Sequence, residues 1–297
     1  MSGFIQSVKR RIGNRSLLSP LSESETKSEH KTFLSPEQRQ FWNERGFLIL
    51  KELIPGHLVA DVNAEILNTI ENRSSVRNVK VDCLEGALAG RRIPISETPA
   101  EVFLGSFKLN DLYLESEIVR QAALNDRLVA ILAELLDGDP IVINSLNFMR
   151  GSQQPSHFDT WYMPPPVPNK LIVSSICLED VHCDAGPLFY YPGSHEIPPY
   201  RFSHGGIHAV EAEMDACRAY VEHETAGRGL QENVFLGSAG DVFLWHAQLL
   251  HGGLPIRDRD RTRKSVVTHY WRMKDLPSES IGVFERNKYF YKRPHPA

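Results

Sequence analysis

The sequence predicts a mainly β fold with flanking helices. From Pro140 onward, short runs of β-branched and aromatic residues recur, and Gly, Pro, Asn and Asp separate them. Helical periodicity is concentrated before Gly138. Many short strands at regular spacing are typical of a sandwich, a barrel or a jelly roll.

The first helix is predicted in the stretch LSPEQRQFWNERG. Ser35 caps it, Pro36 suits its first turn, and Gln38 completes a capping box. Gly46 ends the helix. Two further helices are predicted, one over Pro55 to about Asn72 and one over NDRLVAILAELLDG, with Asn125 or Asp126 as its cap.

The predicted strands follow these helices. They are FLIL after the first helix and then PIVINSLNFM, KLIVSSICL, PLFYYP, NVFLG, DVFLWH and KSVVTHYWRM. Residues 74–99 show no clear periodicity of hydrophobic residues and are interpreted as a loop with short strands. The stretch AVEAEMDACRAYVEHE is a helical insertion. Because no linker follows residue 32, a single domain is expected over residues 32–297.

Composition excludes several classes of protein. The chain has 297 residues, 41% of them hydrophobic, and a formal charge of -4, so nonspecific nucleic-acid binding is not its main function. Its four cysteines are scattered, which favours a reducing, cytoplasmic setting. No apolar run approaches the roughly 20 residues that span a bilayer.

The N-terminal residues 1–31 are interpreted as a disordered tail rich in Ser, Glu and Lys. Lys9, Arg10, Arg11 and Arg15 lie in its first part, which carries no acidic residue. A transit peptide or a membrane-surface helix would have the same composition. The composition cannot bury enough apolar surface to order itself, which favours the disordered tail.

The stretch SHFDTWYMPPP contains the first candidate metal ligands. His157 and Asp159 are two residues apart, so in an extended segment both side chains project to one side. The stretch VFLWHAQLLHGG offers a third ligand, His251 or His246. Two histidines and one carboxylate with open positions are typical of non-haem Fe(II) oxygenases. A second H-x-D, at His182, precedes Gly-Pro and is assigned to a turn.

A basic residue for an anionic co-substrate lies further along the chain. Arg263 and Ser265 are two residues apart on a predicted strand, so a guanidinium and a hydroxyl can both face one carboxylate.

Taken in order, these motifs resemble the phytanoyl-CoA hydroxylase-like branch of the iron(II)/2-oxoglutarate-dependent dioxygenases. The resemblance covers most of residues 33–273. It includes the opening LSPEQRQFWNERGFLILKELIP, the H-x-D at 157–159, LEDVHCDAGPLFYYPGSH, AGDVFLWHAQLLHGG and RTRKSVVTHYW.

The resemblance implies a double-stranded β-helix, the jelly roll of the cupins, packed by N-terminal helices. It implies His157, Asp159 and His251 as iron ligands and Arg263, with Ser265, as the anchor for the distal carboxylate of 2-oxoglutarate. Lys108 is implied as a second basic contact to the co-substrate. Many relatives have Gln where this chain has Phe158.

The implied reaction uses iron(II), 2-oxoglutarate and O2 to hydroxylate or otherwise oxidise a C–H bond, with release of succinate and CO2. Related halogenases have a small residue at the position of Asp159, so the carboxylate indicates hydroxylation or a related oxidation. The substrate is expected to be a small molecule of unknown class, and Trp161 and Tyr162 either face it or pack beneath Pro164 to Pro166. The oligomeric state is left open.

Two alternatives of another class are a catalytically lapsed or differently metallated jelly-roll binding protein, and a cupin-type metal isomerase or sugar-binding jelly roll. The first would have lost ligands, and the second would not need Arg263.

Overall fold

The computed structural model describes residues 32–277, 282–285 and 288–292. The tail predicted for residues 1–31 lies outside them. None of the helices in the described ranges is long and apolar enough to cross a membrane.

Helix α1 (Pro36–Arg45) begins and ends as its sequence predicts. Ser35 accepts a hydrogen bond from the backbone of Gln38, and the Gln38 side chain accepts one from the backbone of Ser35. Gly46 closes the helix with φ 76°, and an added Cβ there would lie 2.5 Å from the ring of His195. Glycine is therefore required both by the left-handed turn and by the close approach.

The remaining helices are α2 (Gly56–Glu71), α3 (Glu117–Ala123), α4 (Asp126–Leu136) and α5 (Met214–Gly227). The strands are β1 (Phe47–Leu50), β2 (Lys80–Cys83), β3 (Arg92–Pro94), β4 (Phe107–Asn110), β5 (Pro140–Phe148), β6 (Leu171–Cys177), β7 (Leu188–Tyr190), β8 (Asn233–Phe235), β9 (Val242–His246), β10 (His251–Gly253), β11 (Ser265–Arg272), β12 (Gly282–Glu285) and β13 (Lys288–Tyr291).

The larger of two sheets runs in the order β1-β9-β6-β11-β5-β4-β2-β3, each strand antiparallel to its neighbour. Strand β13 adds to β5 in parallel and pairs with β12. The smaller sheet has the order β10-β7-β8, also antiparallel.

Both faces of the larger sheet are buried, as β6 illustrates. Ile172 and Ile176 belong to the apolar cluster that includes the helices, whereas Leu171 and Val173 belong to the cluster that includes β7 of the smaller sheet. Alternate residues of a strand face opposite sides. The largely apolar composition of β6 and β9 follows from this double burial.

A third apolar cluster joins α5 to the segment that carries the H-x-D. Met214, Cys217 and Val221 of α5 pack with Phe158 and Trp161. The helical insertion therefore supports the backbone of the predicted metal segment.

The prediction of a mainly β chain with flanking helices is confirmed by these two facing antiparallel sheets. Helices α1, α2 and α4 lie where they were predicted, and β2 and β3 are the short strands expected within residues 74–99. Helix α3, seven residues long, was not predicted, because so short a segment shows little periodicity. Helix α5 ends three residues beyond the predicted insertion.

Candidate metal centre

His157 and His251 are brought together by the backbone. They form an isolated antiparallel bridge, in which His157 N–H donates to the carbonyl of His251 at 2.9 Å and His251 N–H donates to the carbonyl of His157 at 3.1 Å. His251 opens β10, so this bridge extends the smaller sheet by one more segment of the chain.

The Gly pair after His251 permits this close approach. An added Cβ on Gly252 would lie 2.7 Å from the carbonyl oxygen of Gln154, and one on Gly253 would lie 2.9 Å from the backbone nitrogen of Gln153. A side chain at either position would push the segment before His157 away from β10.

Asp159 faces the same side as His157 because Phe158 between them is extended, with φ -106° and ψ 136°. Oδ1 of Asp159 lies 3.8 Å from Nε2 of His157 and 3.8 Å from Nε2 of His251. One ligand atom from each of the three residues lies within 4.8 Å of the others, and all three are buried. The structure thus brings together the three ligands predicted from the sequence.

Hydrogen bonds orient both imidazoles. Nδ1 of His157 lies 2.9 Å from the carbonyl oxygen of Pro155, and Nδ1 of His251 lies 2.9 Å from that of Leu249. A carbonyl can only accept, so each Nδ1 carries the proton and each Nε2 presents a lone pair toward Asp159.

The protonation states suit a divalent cation. Burial lowers the pKa of His157 to about 3, so its ring is neutral. Burial by itself would raise the pKa of Asp159, but His251, His269 and His157 outweigh it and hold that pKa below its usual value. A neutral imidazole at His157 and an ionised carboxylate at Asp159 are the forms that ligate metals.

Trp245 holds the second oxygen of the carboxylate. Its indole Nε1–H donates to Oδ2 of Asp159 at 2.8 Å, and both residues are buried. Oδ1 is left facing the histidines. Trp245 was not singled out from the sequence, since nothing in FLWH shows that β9 passes behind Asp159.

His269, on β11, is a further buried histidine that the sequence analysis did not identify. Its Nε2 lies 3.6 Å from Oδ1 of Asp159, and its Nδ1 is buried without a hydrogen-bond partner. Alternation along β11 could have indicated it, because positions 263, 265, 267 and 269 share one face.

Arg263 lies across a small cavity from the three ligands. The cavity has a volume of about 60 Å³, and its lining includes His157, Asp159, His251, His269 and Arg263. Nε of Arg263 has no hydrogen-bond partner, and none of the carboxylates in the described ranges forms an ion pair with this residue. Burial lowers its pKa to about 10, so the guanidinium remains charged at neutral pH.

The guanidinium lies over the ring of Phe148, with Cζ 5.9 Å from the ring centroid. A buried cation without a carboxylate partner is costly, and an anion in the cavity would stabilise it. Ser265, at the start of β11, likewise has a buried hydroxyl without a partner. The pair predicted from the sequence is therefore present, with both side chains lacking protein partners at the atoms named.

A larger cavity of about 600 Å³ opens beside the same ligands. Its lining includes His157, Asp159, Tyr162 and Lys108. Lys108 therefore lines this cavity rather than the smaller one that Arg263 lines. Tyr162 is half exposed, and its ring stacks edge-on against His157 at 5.6 Å between centroids.

Trp161, in contrast, is buried against Phe158 in the cluster with α5 and is not part of the lining of either cavity. Of the two aromatic residues considered for substrate contact, Tyr162 lines the larger cavity, whereas Trp161 packs against Phe158 of the metal-binding segment.

The second H-x-D forms the turn that was predicted. The backbone N–H of Ala185 donates to the carbonyl of His182, and that of Asp184 donates to Nδ1 of His182. His182, Cys183 and Asp184 lie close together but are partly exposed. His246, the other histidine considered as a ligand, packs against the rings of Trp42 and His195.

Comparison with known proteins agrees with this geometry. A sequence profile of the phytanoyl-CoA dioxygenase family matches residues 42–265. Peroxisomal phytanoyl-CoA dioxygenase of Rattus norvegicus is 23% identical over 257 residues, which cover 80% of this chain and 68% of that protein. Ectoine dioxygenase of Halomonas elongata is 28% identical over 171 residues, which cover 55% of this chain and 47% of that protein.

Two solved structures share the fold. The non-heme alpha-ketoglutarate-dependent carbocyclase SnoK from nogalamycin biosynthesis superposes with a TM-score of 0.61 at 16% identity, covering 80% of this chain and 84% of its own. EctD from S. alaskensis, with 2-oxoglutarate and 5-hydroxyectoine, gives a TM-score of 0.60 at 16% identity, covering 94% and 90%. The jelly-roll prediction is thereby confirmed.

Proposed function

The chain belongs to the phytanoyl-CoA dioxygenase family of iron(II)- and 2-oxoglutarate-dependent dioxygenases, and from this premise we propose that it hydroxylates, or otherwise oxidises, an unactivated C–H bond of a small molecule. The observation that carries the proposal is the buried group of His157, Asp159 and His251, whose ligand atoms converge beside two cavities.

These three residues are the proposed iron ligands. Both Nε2 lone pairs and Oδ1 of Asp159 face a common point, because the opposite atom of each ring and of the carboxylate is held by a hydrogen bond. Two imidazoles and one carboxylate with remaining positions open are the donor set that suits ferrous iron. The donor set therefore fits the metal that the family uses.

Arg263 and Ser265 are the proposed anchor for the distal carboxylate of 2-oxoglutarate. The unpaired guanidinium of Arg263 and the unpaired hydroxyl of Ser265 are both buried, and a carboxylate accepts from both kinds of donor. The small cavity between Arg263 and the ligands is lined partly by apolar side chains, including Phe148, Leu188 and Val267. Exclusion of water there strengthens the interaction between opposite charges.

Iron(II), 2-oxoglutarate and O2 together supply the oxidising chemistry, with succinate and CO2 as the other products. The protein places the reactants and keeps water out. His157, Asp159 and His251 hold the metal, Arg263 orients the co-substrate, and the larger cavity places the substrate beside the metal. Because Asp159 is present and held by Trp245, hydroxylation is favoured over halogenation.

The proposed substrate is a small molecule and not a nucleic acid, which the formal charge of -4 supports. The proposed location is the reducing cytoplasm. This location is supported by Cys83, Cys177, Cys183 and Cys217, which are all free.

The test is an anaerobic Fe(II) titration of the metal-free protein, with and without 2-oxoglutarate, that follows the weak visible charge-transfer band of the chelate. The band is expected for the wild type and not for His157→Ala. His246→Asn is the matched control, because His246 is equally buried but lies outside the proposed ligands.

A second variant separates this function from that of a cupin-type isomerase. Arg263→Ala should lose the band at moderate 2-oxoglutarate concentrations while still binding Fe(II). If the folded, iron-supplied wild type gives no band, or if Arg263→Ala gives the wild-type band, the proposed function is wrong.

A further inference from the structure

Asn144, on β5, lines the larger cavity although it is only 7% exposed. Leu146 and Phe148 line the same cavity, because alternate residues of a strand face one side. The residue directly opposite Asn144 on β11 is His269, whose Nε2 lies 3.6 Å from Oδ1 of Asp159. Directly opposite side chains begin about 5 Å apart. The amide of Asn144 therefore belongs to the cavity wall beside the proposed metal ligands.

A buried carboxylate determines which end of this amide faces the cavity. Nδ2 of Asn144 donates to Oδ1 of Asp111 at 2.8 Å, and the backbone N–H of Ser145 donates to the same oxygen at 2.9 Å. The backbone N–H of Asp111 in turn donates to the carbonyl of Ser145 at 2.7 Å, and Asp111 is fully buried. Rotation of the amide by 180° would place two acceptor oxygens against each other. The NH2 group therefore stays on Asp111, and the amide oxygen points away from it.

The amide oxygen of Asn144 is open to the cavity. It has no hydrogen-bond partner within residues 32–277, 282–285 and 288–292, and it is not among the fully buried atoms that lack one. Its accessible surface therefore opens on the cavity that Asn144 lines. The hydrogen bond from the NH2 group to a carboxylate polarises the amide and makes its oxygen a stronger acceptor. The wall beside the metal ligands thus presents an acceptor to whatever molecule lies there.

The co-substrate cannot satisfy this acceptor. At neutral pH the two carboxylates and the keto group of 2-oxoglutarate offer acceptor oxygens and no donor. Arg263, Ser265 and Lys108, which are assigned or implied for the co-substrate, all offer donors. Asn144 offers the opposite polarity. Its oxygen is therefore suited to a second molecule in the cavity, one that carries a hydrogen-bond donor.

We propose that Asn144 binds the substrate, that it accepts a hydrogen bond from a hydroxyl or amide N–H of that molecule, and that the carbon that is oxidised lies close to this donor group. The inference rests on the proposed function, since it takes the second molecule beside the metal to be the substrate. A site that is built to accept a hydrogen bond discriminates against analogues without the donor, because its own polar atom is then left unpaired. The substrate class is therefore a small alcohol or amide, and hydrocarbons, ethers and esters are disfavoured.

The test uses benzyl alcohol and benzyl methyl ether as probes, because they share a ring and an ether or hydroxyl oxygen but differ in the O–H donor. The full chain is loaded with 2-oxoglutarate and with Mn²⁺, a paramagnetic ion that accepts oxygen and nitrogen ligands. Proton relaxation of each probe is measured by NMR, with Zn²⁺-loaded protein as the diamagnetic reference. Benzyl alcohol should show paramagnetic relaxation at roughly fivefold lower concentration than the ether, the usual net effect of one neutral hydrogen bond.

Two substitutions make the test specific. Asn144→Leu removes the amide and leaves Asp111 the backbone donor of Ser145, and the alcohol should then behave as the ether does. Asn147→Leu is the matched control. Asn147 lies on the same strand and is buried, but it lines neither cavity, and both of its side-chain polar atoms lack a partner. The preference for the alcohol should be unchanged in this control.

Each outcome decides between the alternatives. Equal relaxation of the two probes in the wild type, or relaxation of neither while 2-oxoglutarate itself is relaxed, would overturn the inference and leave the Asn144 oxygen to water. This comparison stands without either variant. A preference that survives in Asn144→Leu, or that is lost equally in Asn147→Leu, would also overturn it. Absence of relaxation of 2-oxoglutarate in the wild type would instead refute the proposed function.

Discussion

Trp245→Phe tests how the carboxylate of Asp159 is held. The substitution keeps an aromatic ring in the core but removes the indole N–H that donates to Oδ2 of Asp159 at 2.8 Å. The carboxylate can then rotate, and Oδ1 no longer has a fixed direction toward Nε2 of His157 and His251, each 3.8 Å away. Metal binding should weaken because one ligand loses its orientation before the metal arrives.

The expected loss is about 10- to 100-fold in metal affinity, the usual effect of removing a hydrogen bond to a metal-ligating side chain. In free energy this is about 1 to 3 kcal/mol. The metal-free protein should also lose some stability, because the smaller ring leaves a void and Asp159 loses a donor. A purely structural role would lower the stability of the metal-free protein without changing its affinity for the metal.

The assay is therefore a pair of measurements on each variant, the Fe(II) dissociation constant under anaerobic conditions and the thermal midpoint of the metal-free protein. Trp271→Phe is the matched control, since Nε1 of Trp271 is buried without a hydrogen-bond partner. If Trp245→Phe binds Fe(II) as tightly as the wild type, or if both variants weaken binding equally, Trp245 does not position the carboxylate.

Three further variants test other parts of the site. Arg263→Met should weaken 2-oxoglutarate binding about 100-fold in a titration, because a hydrogen-bonded charge pair is lost. The same substitution should raise the thermal midpoint of the ligand-free protein, because it removes a buried cation that has no carboxylate partner. A lower midpoint would contradict this. Burial lowers the pKa of His246 to about 3, below its unfolded value. The free energy of unfolding should therefore fall by up to roughly 1 kcal/mol per pH unit as the pH drops from about 6.5 toward 3. Denaturant unfolding across this range should show a shallower decline of that free energy in His246→Asn, and identical slopes would refute the assignment. Gly252→Ala should cost about 1 to 3 kcal/mol of stability and weaken Fe(II) binding, because its Cβ would lie 2.7 Å from the Gln154 carbonyl oxygen. Gly227→Ala, at the end of α5 where a Cβ meets nothing within 4 Å, is the control: it should cost no stability and leave Fe(II) binding unchanged.

The sequence predicted those parts of the site whose geometry is set by residues close together in the chain. His157 and Asp159 are separated by one extended residue, so their common direction follows from local geometry. Arg263 and Ser265 are also two residues apart. His251 was indicated by the Gly pair after it, whose close contact with residues 153 and 154 the structure shows.

The parts that the sequence did not predict depend on which strands become neighbours. Trp245 reaches Asp159 across 86 residues of chain, and His269 reaches it across 110. Both lie in largely buried strands, and no local pattern shows which of their side chains faces the metal. Lys108 illustrates the same limit, because its place in the lining of the larger cavity depends on the pairing of β4 with β2 and β5.

The residues of the site are divided between the two sheets. His157 and His251 are fixed by a backbone bridge at the edge of the smaller sheet, whereas Trp245, His269 and Lys108 belong to strands of the larger sheet. Asp159 is bonded to the larger sheet through Trp245 and adjoins the histidines of the smaller one. Metal binding therefore depends on how the two sheets face each other.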